Sequence, residues 1–333
     1  MSAPAVILTR CDLVSLMARA DYLAAVEEAF RADKEGRAGA PLPMHVDGEG
    51  GIFHAKGAFL KADRAFVAVK LNGNFPGNPA RHDLPTIQGA VLLCDASNGA
   101  LLAIMDSIEI TLRRTAAASA LAARHLAKKD AATLLVCGCG EQARVQVEAL
   151  SDMRALRQAF AYDIDPARAK SFAREMQAAL EVRVDAVEKI TDVAPACDVI
   201  VTCTTASAPI LHREDIRPGA FIAAVGADSP YKNEIAPDLM AASKVVVDVR
   251  AQCAEMGDLR VALAAGVLTM DDVHADLGEI VTGAAPGRCA PDDIIVFDST
   301  GTALQDVASA VVAYDRACET GAGVRVDLGS ARH

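Results

Sequence analysis

Tryptophan is absent from this 333-residue chain and aromatic residues make up only 4% of it, which leaves no stacking platform for nucleobases or sugar rings. No run of lysine and arginine is present, and the formal net charge is −11. Nucleic acid and an anionic membrane surface are therefore excluded as partners, because neither tolerates an acidic face without a basic patch. No apolar stretch reaches the length of a membrane span. The N-terminal MSAPAVILTRCDLVSLM has no basic segment followed by a long apolar core, so the expected compartment is the cytoplasm. Nine cysteines, an odd number in a chain this long, suggest neither a disulfide framework nor a zinc site, and they are expected as reduced thiols. His54 and His82 belong to no cluster at ligand spacing, so no metal is expected.

With 52% hydrophobic residues the chain can bury a large core, and its length suggests two domains. The most informative stretch is TLLVCGCGEQARVQVEAL, Thr133 to Leu150. Leu134, Leu135 and Val136 read as a buried parallel strand, and Val145, Val147 and Leu150 recur at helical spacing. Between them, Gly138, Gly140 and Ala143 form G-x-G-x-x-A. Gly138 permits the tight turn, Gly140 lets backbone approach a pyrophosphate, and Ala143 lets helix and strand pack closely. The next strand, Ala159 to Tyr162, ends in Asp163, twenty residues beyond Ala143, where a carboxylate accepts bonds from ribose hydroxyls and repels a 2′-phosphate. This favours NAD over NADP, with Arg168 nearby as a candidate phosphate partner. A bare strand-to-helix turn without ligand is the alternative.

Taken in order, residues 1–40 read as helical, with Asp12 as a cap and Asp21 preceding YLAAVEEAFRADKEG. Short strands follow from Ala40 to Val69, interrupted by Pro41, Pro43 and the Gly48–Gly51 turn. Within Ile52–Lys56, His54 and Lys56 alternate and so share one strand face. The strand Ala65–Val69 ends at Lys70, and a Gly-, Asn- and Pro-rich loop leads to a strand at Ile87–Cys94. After a strand at Leu101–Met105, a long helix runs from Ile110 through Arg113 and Arg114 into TAAASALAARHLA. Beyond Asp163 helices and strands alternate through Val199–Thr202, Phe221–Val225, Lys244–Val249 and Ile294–Phe297, the rhythm of a parallel α/β sheet. Ligands of such sheets bind beyond the carboxyl ends of the strands, where Thr202, Cys203, Thr204 and Asp228 should meet the glycine turn. An amphipathic helix, TALQDVASAVVAYDRACE, follows Asp298-Ser299-Thr300-Gly301.

These residues resemble the ornithine cyclodeaminase/mu-crystallin family, which includes an archaeal alanine dehydrogenase and ketimine reductases. The resemblance rests on Lys70, LPTIQG at Leu84–Gly89, RRTAA at Arg113–Ala117, GCGEQA at Gly138–Ala143, VGAD at Val225–Asp228 and DSTG at Asp298–Gly301. It implies an α/β fold: a Rossmann dinucleotide-binding domain at 126–302, and a second α+β substrate-binding and dimerisation domain built from both chain ends, 1–125 and 303–333. It also implies a homodimer. Lys70 and Arg114 are expected to hold a substrate carboxylate, and Asp228 to act on the α-amine or imine, from a partly buried position that would raise its pKa. Around the dinucleotide it puts Thr86, Arg114, Thr115, Glu141, Gln142, Asp163, Thr202, Val225, Gly226, Asp228, Lys232 and Ser299 with Gly138 and Gly140, and it puts Thr300 near the substrate. Without the resemblance, Lys70 reads as a snorkelling surface lysine, Asp228 as an Asx-turn residue before Ser229-Pro230, and Ser299 and Thr300 as caps of the last helix.

One segment departs from the ornithine cyclodeaminases, which carry an Arg near Met44-His45 and an acidic residue on the strand occupied here by Ile52–Lys56. With neither present, His54 and Lys56 are expected on the substrate and argue for a neutral or anionic side chain. The expected function is an NAD(P)-dependent oxidoreductase of amino-acid metabolism, acting at the α-carbon of an amino acid or its imine, cyclic imines included. The alternatives are a cyclodeaminase, a lyase that recycles its NAD internally, and a non-catalytic protein that stores a dinucleotide or small ligand.

Overall fold

The structure is a computed structural model that describes residues 4–41, 43–153, 156–180 and 182–328. It divides into two compact units, residues 1–114 with 302–333 and residues 115–301. The tail 329–333 of the expected C-terminal segment lies outside the described residues.

The first unit is built on a mixed sheet. Its strands are β1 (Ala5–Leu8), β2 (Ala38–Gly39), β3 (Met44–Gly48), β4 (Gly51–Lys61), β5 (Ala65–Asn74), β6 (Ile87–Asp95), β7 (Leu101–Asp106) and β16 (Val324–Val326). They lie in the order β16-β1-β7-β6-β5-β4-β2, with β3 also on β4. Its helices are α1 (Arg10–Leu16), α2 (Arg19–Lys34), the short α3 (Asn78–His82), the start of α4 (Ser107–Leu126) and α11 (Ala303–Thr320). Alternation along β4 and β5 sorts the sheet into two faces. Ala58, Leu60, Phe66 and Ala68 point into the core with Val307 and Ala310 of α11. Phe53, Phe59, Val69, Leu71 and Leu92 stand exposed on the other face.

Three local expectations are corrected. Ala5–Leu8 is a strand and not helix, paired with β7 on one side and β16 on the other, and these non-local ladders outweigh its short-range pattern. The cap of α1 is Thr9, whose hydroxyl accepts the Asp12 N–H at 3.3 Å while Asp12 accepts the Thr9 N–H at 2.8 Å. Asp12 and Asp21 thus sit at the third helical position and reach back to the chain before their helices. Finally, β5 does not end at Lys70: it continues to Asn74, paired on both edges, so Lys70 lies inside a sheet strand.

The second unit is a parallel sheet of β8 (Thr133–Cys137), β9 (Gln158–Tyr162), β10 (Arg183–Ala186), β11 (Val199–Thr202), β12 (Phe221–Ala224), β13 (Lys244–Val247), β14 (Ala275–Asp276) and β15 (Ile295–Asp298), ordered β10-β9-β8-β11-β12-β15-β13-β14. Strands buried on both faces read as unbroken apolar runs, as in β8, β11 and β12. The remainder of α4, with α5 (Glu141–Met153), α6 (Pro166–Ala179), α7 (Pro237–Ala241), α8 (Arg250–Met256), α9 (Asp258–Ala264) and α10 (Leu277–Val281), completes it. The chain runs outward from β8 in both directions, to β9 and β10 on one side and to β11 and β12 on the other. This reversal creates the ligand crevice of a doubly wound sheet. The architecture is the expected one: a Rossmann unit and an α+β unit made from both chain ends.

Candidate functional site

In the second unit the glycine turn after β8 has the geometry its sequence requires. Gly138 has φ +89°, and a Cβ there would lie 2.9 Å from the Cys203 carbonyl oxygen, so backbone conformation and close packing both demand glycine. At Gly140 a Cβ would meet no protein atom within 4 Å, so the space beside this backbone is open to a ligand. Helix α5 starts at Glu141, with Ala143 fully buried behind it. Asp163, buried at the end of β9, accepts the Cys139 N–H through Oδ2 at 2.9 Å and the Asp165 N–H through Oδ1 at 2.9 Å. Its carboxylate is thereby fixed beside the turn. Arg168 Nη1 approaches it to 3.9 Å. An open glycine backbone, a helix N-terminus and an anchored carboxylate fit the pyrophosphate and ribose of a dinucleotide. Glu141 points outward, with a 79% exposed side chain near Arg144, and Gln142 is half-buried.

Thr202, Val225, Gly226 and Ser299 fall at the carboxyl ends of β11, β12 and β15, as the sheet rule requires. Glu234, which the sequence did not point to, ties this edge together. Its Oε2 accepts the Thr202 hydroxyl at 2.7 Å and the Gly226 N–H at 2.8 Å, and its Oε1 accepts the Thr204 N–H and hydroxyl at 2.6 and 2.7 Å. A Cβ on Gly226 would come within 2.5 Å of that carboxylate, which explains the glycine. Burial and the charge of Asp258 push Glu234 up to about 7, against the bonds from Thr202 and Thr204. Asp258 in turn receives the Asn233 amide and the Glu234 and Ile235 N–H groups at 2.6 to 3.0 Å.

Asp228 is not partly buried: its side chain is 54% exposed and pairs with Lys232 at 2.7 Å, because the chain turns outward immediately after Ala227. Nor do Ser299 and Thr300 cap α11, whose cap is Thr302. The Thr300 hydroxyl is buried, donating to Asp248 at 3.0 Å and accepting from Gln252 at 2.7 Å, and Ser299 lies 3.4 Å from Asp248. These bonds hold the DSTG turn.

In the first unit the structure brings Lys70, Arg114 and Lys56 together around Asp306, a residue on α11 that sequence reasoning missed. Lys70 Nζ lies 2.7 Å from Asp306 Oδ2 and donates to Thr111 Oγ1 at 3.2 Å. Arg114 donates to Asp306 Oδ1 at 3.0 Å and to Gln305 Oε1 at 2.8 Å. Lys70, Arg114 and Asp306 are all buried, and Lys70 is 5% exposed. Burial pushes Lys70 down to about 7 against the opposing pull of Asp306, with Arg114 and Lys56 adding to the depression. Burial also raises Asp306, but Lys70 and Arg114 outweigh it and hold the carboxyl below its usual range. The surface-lysine reading of Lys70 is thus excluded. His54 lies on the same sheet face, its Nδ1 2.7 Å from Nδ1 of His45 on β3. Thr86 is half-buried just before β6, its carbonyl accepting the Phe75 N–H at 2.8 Å, and Thr115 is buried on α4.

The sequence profile of the ornithine cyclodeaminase/mu-crystallin family matches residues 4–321. The chain is 35% identical to an alanine dehydrogenase of Archaeoglobus fulgidus over 320 residues, 96% of this chain and 97% of that one. Among solved structures, an archaeal alanine dehydrogenase dimer with bound NAD is similar with a TM-score of 0.93 at 34% identity, covering 98% of this chain and 99% of that one. The Thermococcus litoralis Δ1-pyrroline-2-carboxylate reductase, in complex with NADH and L-proline, is similar with a TM-score of 0.92 at 34% identity, covering 96% and 100%.

Proposed function

The chain belongs to the ornithine cyclodeaminase/mu-crystallin family, and from that premise we propose that it is an NAD-dependent oxidoreductase acting at the α-carbon of an amino acid or its imine. The observation that carries this reading is the buried pair of cations, Lys70 and Arg114, gathered on Asp306. A planar guanidinium matches a carboxylate bidentately, and a desolvated ammonium adds a directed hydrogen bond. With its ionisation pushed down to about 7, Lys70 can also give or take a proton near neutral pH, as proton transfer at an imine or amine nitrogen requires. Asp228, on the loop after β12 and 2.7 Å from Lys232, is the second proton-carrying group.

NAD is held by the Gly138–Gly140 turn, the N-terminus of α5 and Asp163, with Thr202, Val225, Gly226 and Ser299 along the sheet edge. When bound, its nicotinamide supplies a hydride acceptor or donor. Asp163 favours NAD over NADP by repelling a 2′-phosphate. Substrate binding and dimerisation belong to the first unit, and the exposed apolar side chains Phe53, Phe59, Val69, Leu71 and Leu92 on one sheet face support a homodimer, since an apolar sheet face left in water marks an interaction site. All nine cysteines are free thiols, and no helix among the described residues is long and apolar enough to cross a membrane; both support a cytoplasmic enzyme.

The test is to offer NADH or NAD with α-keto acids and ammonia or amines, cyclic imines and amino acids while following the reduced-nicotinamide absorbance, with ammonia release from diamino acids measured in parallel. Net oxidation or reduction of the cofactor establishes the reading. Ammonia release from ornithine or lysine without net redox change replaces it by a cyclodeaminase.

A further inference from the structure

Resting on that reading, we propose that Gln305 is a positioning residue for the substrate carboxylate: its amide orients the Arg114 guanidinium without spending the positive charge that the carboxylate needs. Gln305 and Asp306 are consecutive residues in the first turn of α11, and both reach Arg114. Asp306 Oδ1 accepts from Arg114 Nε at 3.0 Å, and Gln305 Oε1 accepts from Nη1 at 2.8 Å. A guanidinium has donors and no acceptor, so the carbonyl of the amide must face Arg114 and its NH2 must point elsewhere. That NH2 is the informative group. Gln305 is fully buried, and its Nε2 has no hydrogen-bond partner among the described residues. A buried donor without an acceptor is costly, so the arrangement is complete only when an acceptor arrives.

Charge explains why this position carries an amide. Protonated Lys70 and Arg114 bring two positive charges to the carboxylate of Asp306, so one charge is left over among these three groups. A buried charge calls for a partner, and a substrate carboxylate supplies it. The guanidinium keeps a place for that anion. Its Nε and one Nη1 proton are used on α11, while Nη2 takes no partner among the described residues and Nη1 has a second proton. Nη1 and Nη2 together make the fork that meets both oxygens of a carboxylate. The same carboxylate provides the acceptor that the Gln305 NH2 lacks. A glutamate at this position would hold Arg114 at least as firmly, through a charged bond, but it would complete the neutralisation inside the protein and repel the substrate. The amide holds Arg114 and leaves its charge unspent.

Gln305 takes no part in moving the hydride or the proton. By fixing the carboxylate it fixes the α-carbon one bond away, so its effect falls mainly on KM for the amino acid or imine and less on kcat.

Saturation-transfer NMR titration of the purified full chain with propionate, a non-reacting monocarboxylate, tests the assignment separately from turnover. Gln305→Glu keeps the acceptor for Arg114 and Gln305→Met removes both polar atoms; each is expected to weaken propionate by about tenfold, while Gln305→Glu unfolds no earlier than the wild type. A purely structural amide predicts the opposite for Gln305→Glu, and propionate bound by that variant as by the wild type overturns the proposal. In turnover, Gln305→Glu is expected to raise KM for the amino acid or imine and to leave KM for NAD unchanged. The limb of the pH profile governed by Lys70 is expected to move to higher pH in this variant, because Arg114 depresses that ionisation and a carboxylate on Arg114 offsets it. An unmoved limb with an unchanged substrate KM overturns the proposal. A wild type that binds no propionate removes the carboxylate site itself. If propionate binding falls in Gln305→Glu while no amino acid or imine changes nicotinamide absorbance, the redox reading fails and the role of Gln305 stands.

Discussion

Lys70 on β5 and Asp306 on α11, 236 positions apart in the chain, meet at 2.7 Å in the core of the first unit. Each sets the other's ionisation. Asp306 opposes the burial that lowers Lys70, so Asp306→Asn should lower the Lys70 ionisation further and leave the ammonium deprotonated at neutral pH. The limb of the kcat/KM profile governed by Lys70 should move to lower pH, and neutral-pH activity should fall about tenfold for every pH unit that this limb travels. A pH–rate profile of the variant superimposing on that of the wild type would separate Lys70 from the measured ionisation.

Removing the carboxylate altogether leaves Lys70 and Arg114 buried without their anion. Loss of one partner of a buried ion pair costs about 3–5 kcal/mol, so Asp306→Ala should unfold at a clearly lower denaturant midpoint than the wild type. An unchanged midpoint would show that water reaches these cations.

Glu234 gives a prediction about pH and stability. Its carboxyl is raised from 4.5 to about 7 in the folded chain, so between these values the folded state holds the proton that the unfolded state releases. The stability due to this group is full below 4.5 and is lost as pH rises through 7. Glu234→Gln should flatten that part of the stability profile. Glu234→Ala, which orphans the Thr204 and Gly226 N–H groups, should cost about 1–3 kcal/mol for each and raise KM for NAD. A Glu234→Gln variant with the wild-type slope between pH 4.5 and 7 assigns the effect to another carboxyl.

Asp163 separates the two cofactors. Asp163→Ala should weaken NAD about tenfold and improve NADP, because Arg168, now 3.9 Å from the carboxylate, becomes available to a 2′-phosphate. Fluorescence titration with each reduced cofactor reads this directly. Equal losses for both would place the ribose elsewhere.

The exposed apolar sheet face predicts the assembly. Val69→Glu with Leu71→Glu puts two charges into that face and should convert a dimer into monomers in sedimentation velocity, since neither side chain supports the core of its own unit. A wild type that sediments as a monomer would remove the dimer.

What can be read in the sequence is what the chain specifies locally. Gly138 is required by one short turn, and Asp163 follows a strand whose apolar run is self-evident, so the strand, turn and helix of β8 and α5 and the carboxylate beside them are legible almost residue by residue. Arg114 emerges from the register of RRTAA. Asp306 does not, because on an alanine- and valine-rich helix it looks like a polar interruption until β5 is folded against it. Glu234 is hidden for the same reason: the donors it gathers come from three separate positions, Thr202, Thr204 and Gly226. Ala5–Leu8 reads as helix because its partners, Ala103–Met105 and Val324–Val326, lie far along the chain. The exposure of Asp228 depends on where the chain turns after Ala227, which no pattern in VGAD announces.

The most direct measurement follows deuterium from the α-carbon. The amino acid with the highest turnover is supplied with deuterium at Cα together with NAD, and the nicotinamide recovered from solution is examined by NMR. One deuterium at nicotinamide C4 per product formed is the expected result, and Lys70→Ala should abolish it while NAD still binds. Product formed with deuterium lost to water and none in the nicotinamide would contradict hydride transfer at the α-carbon.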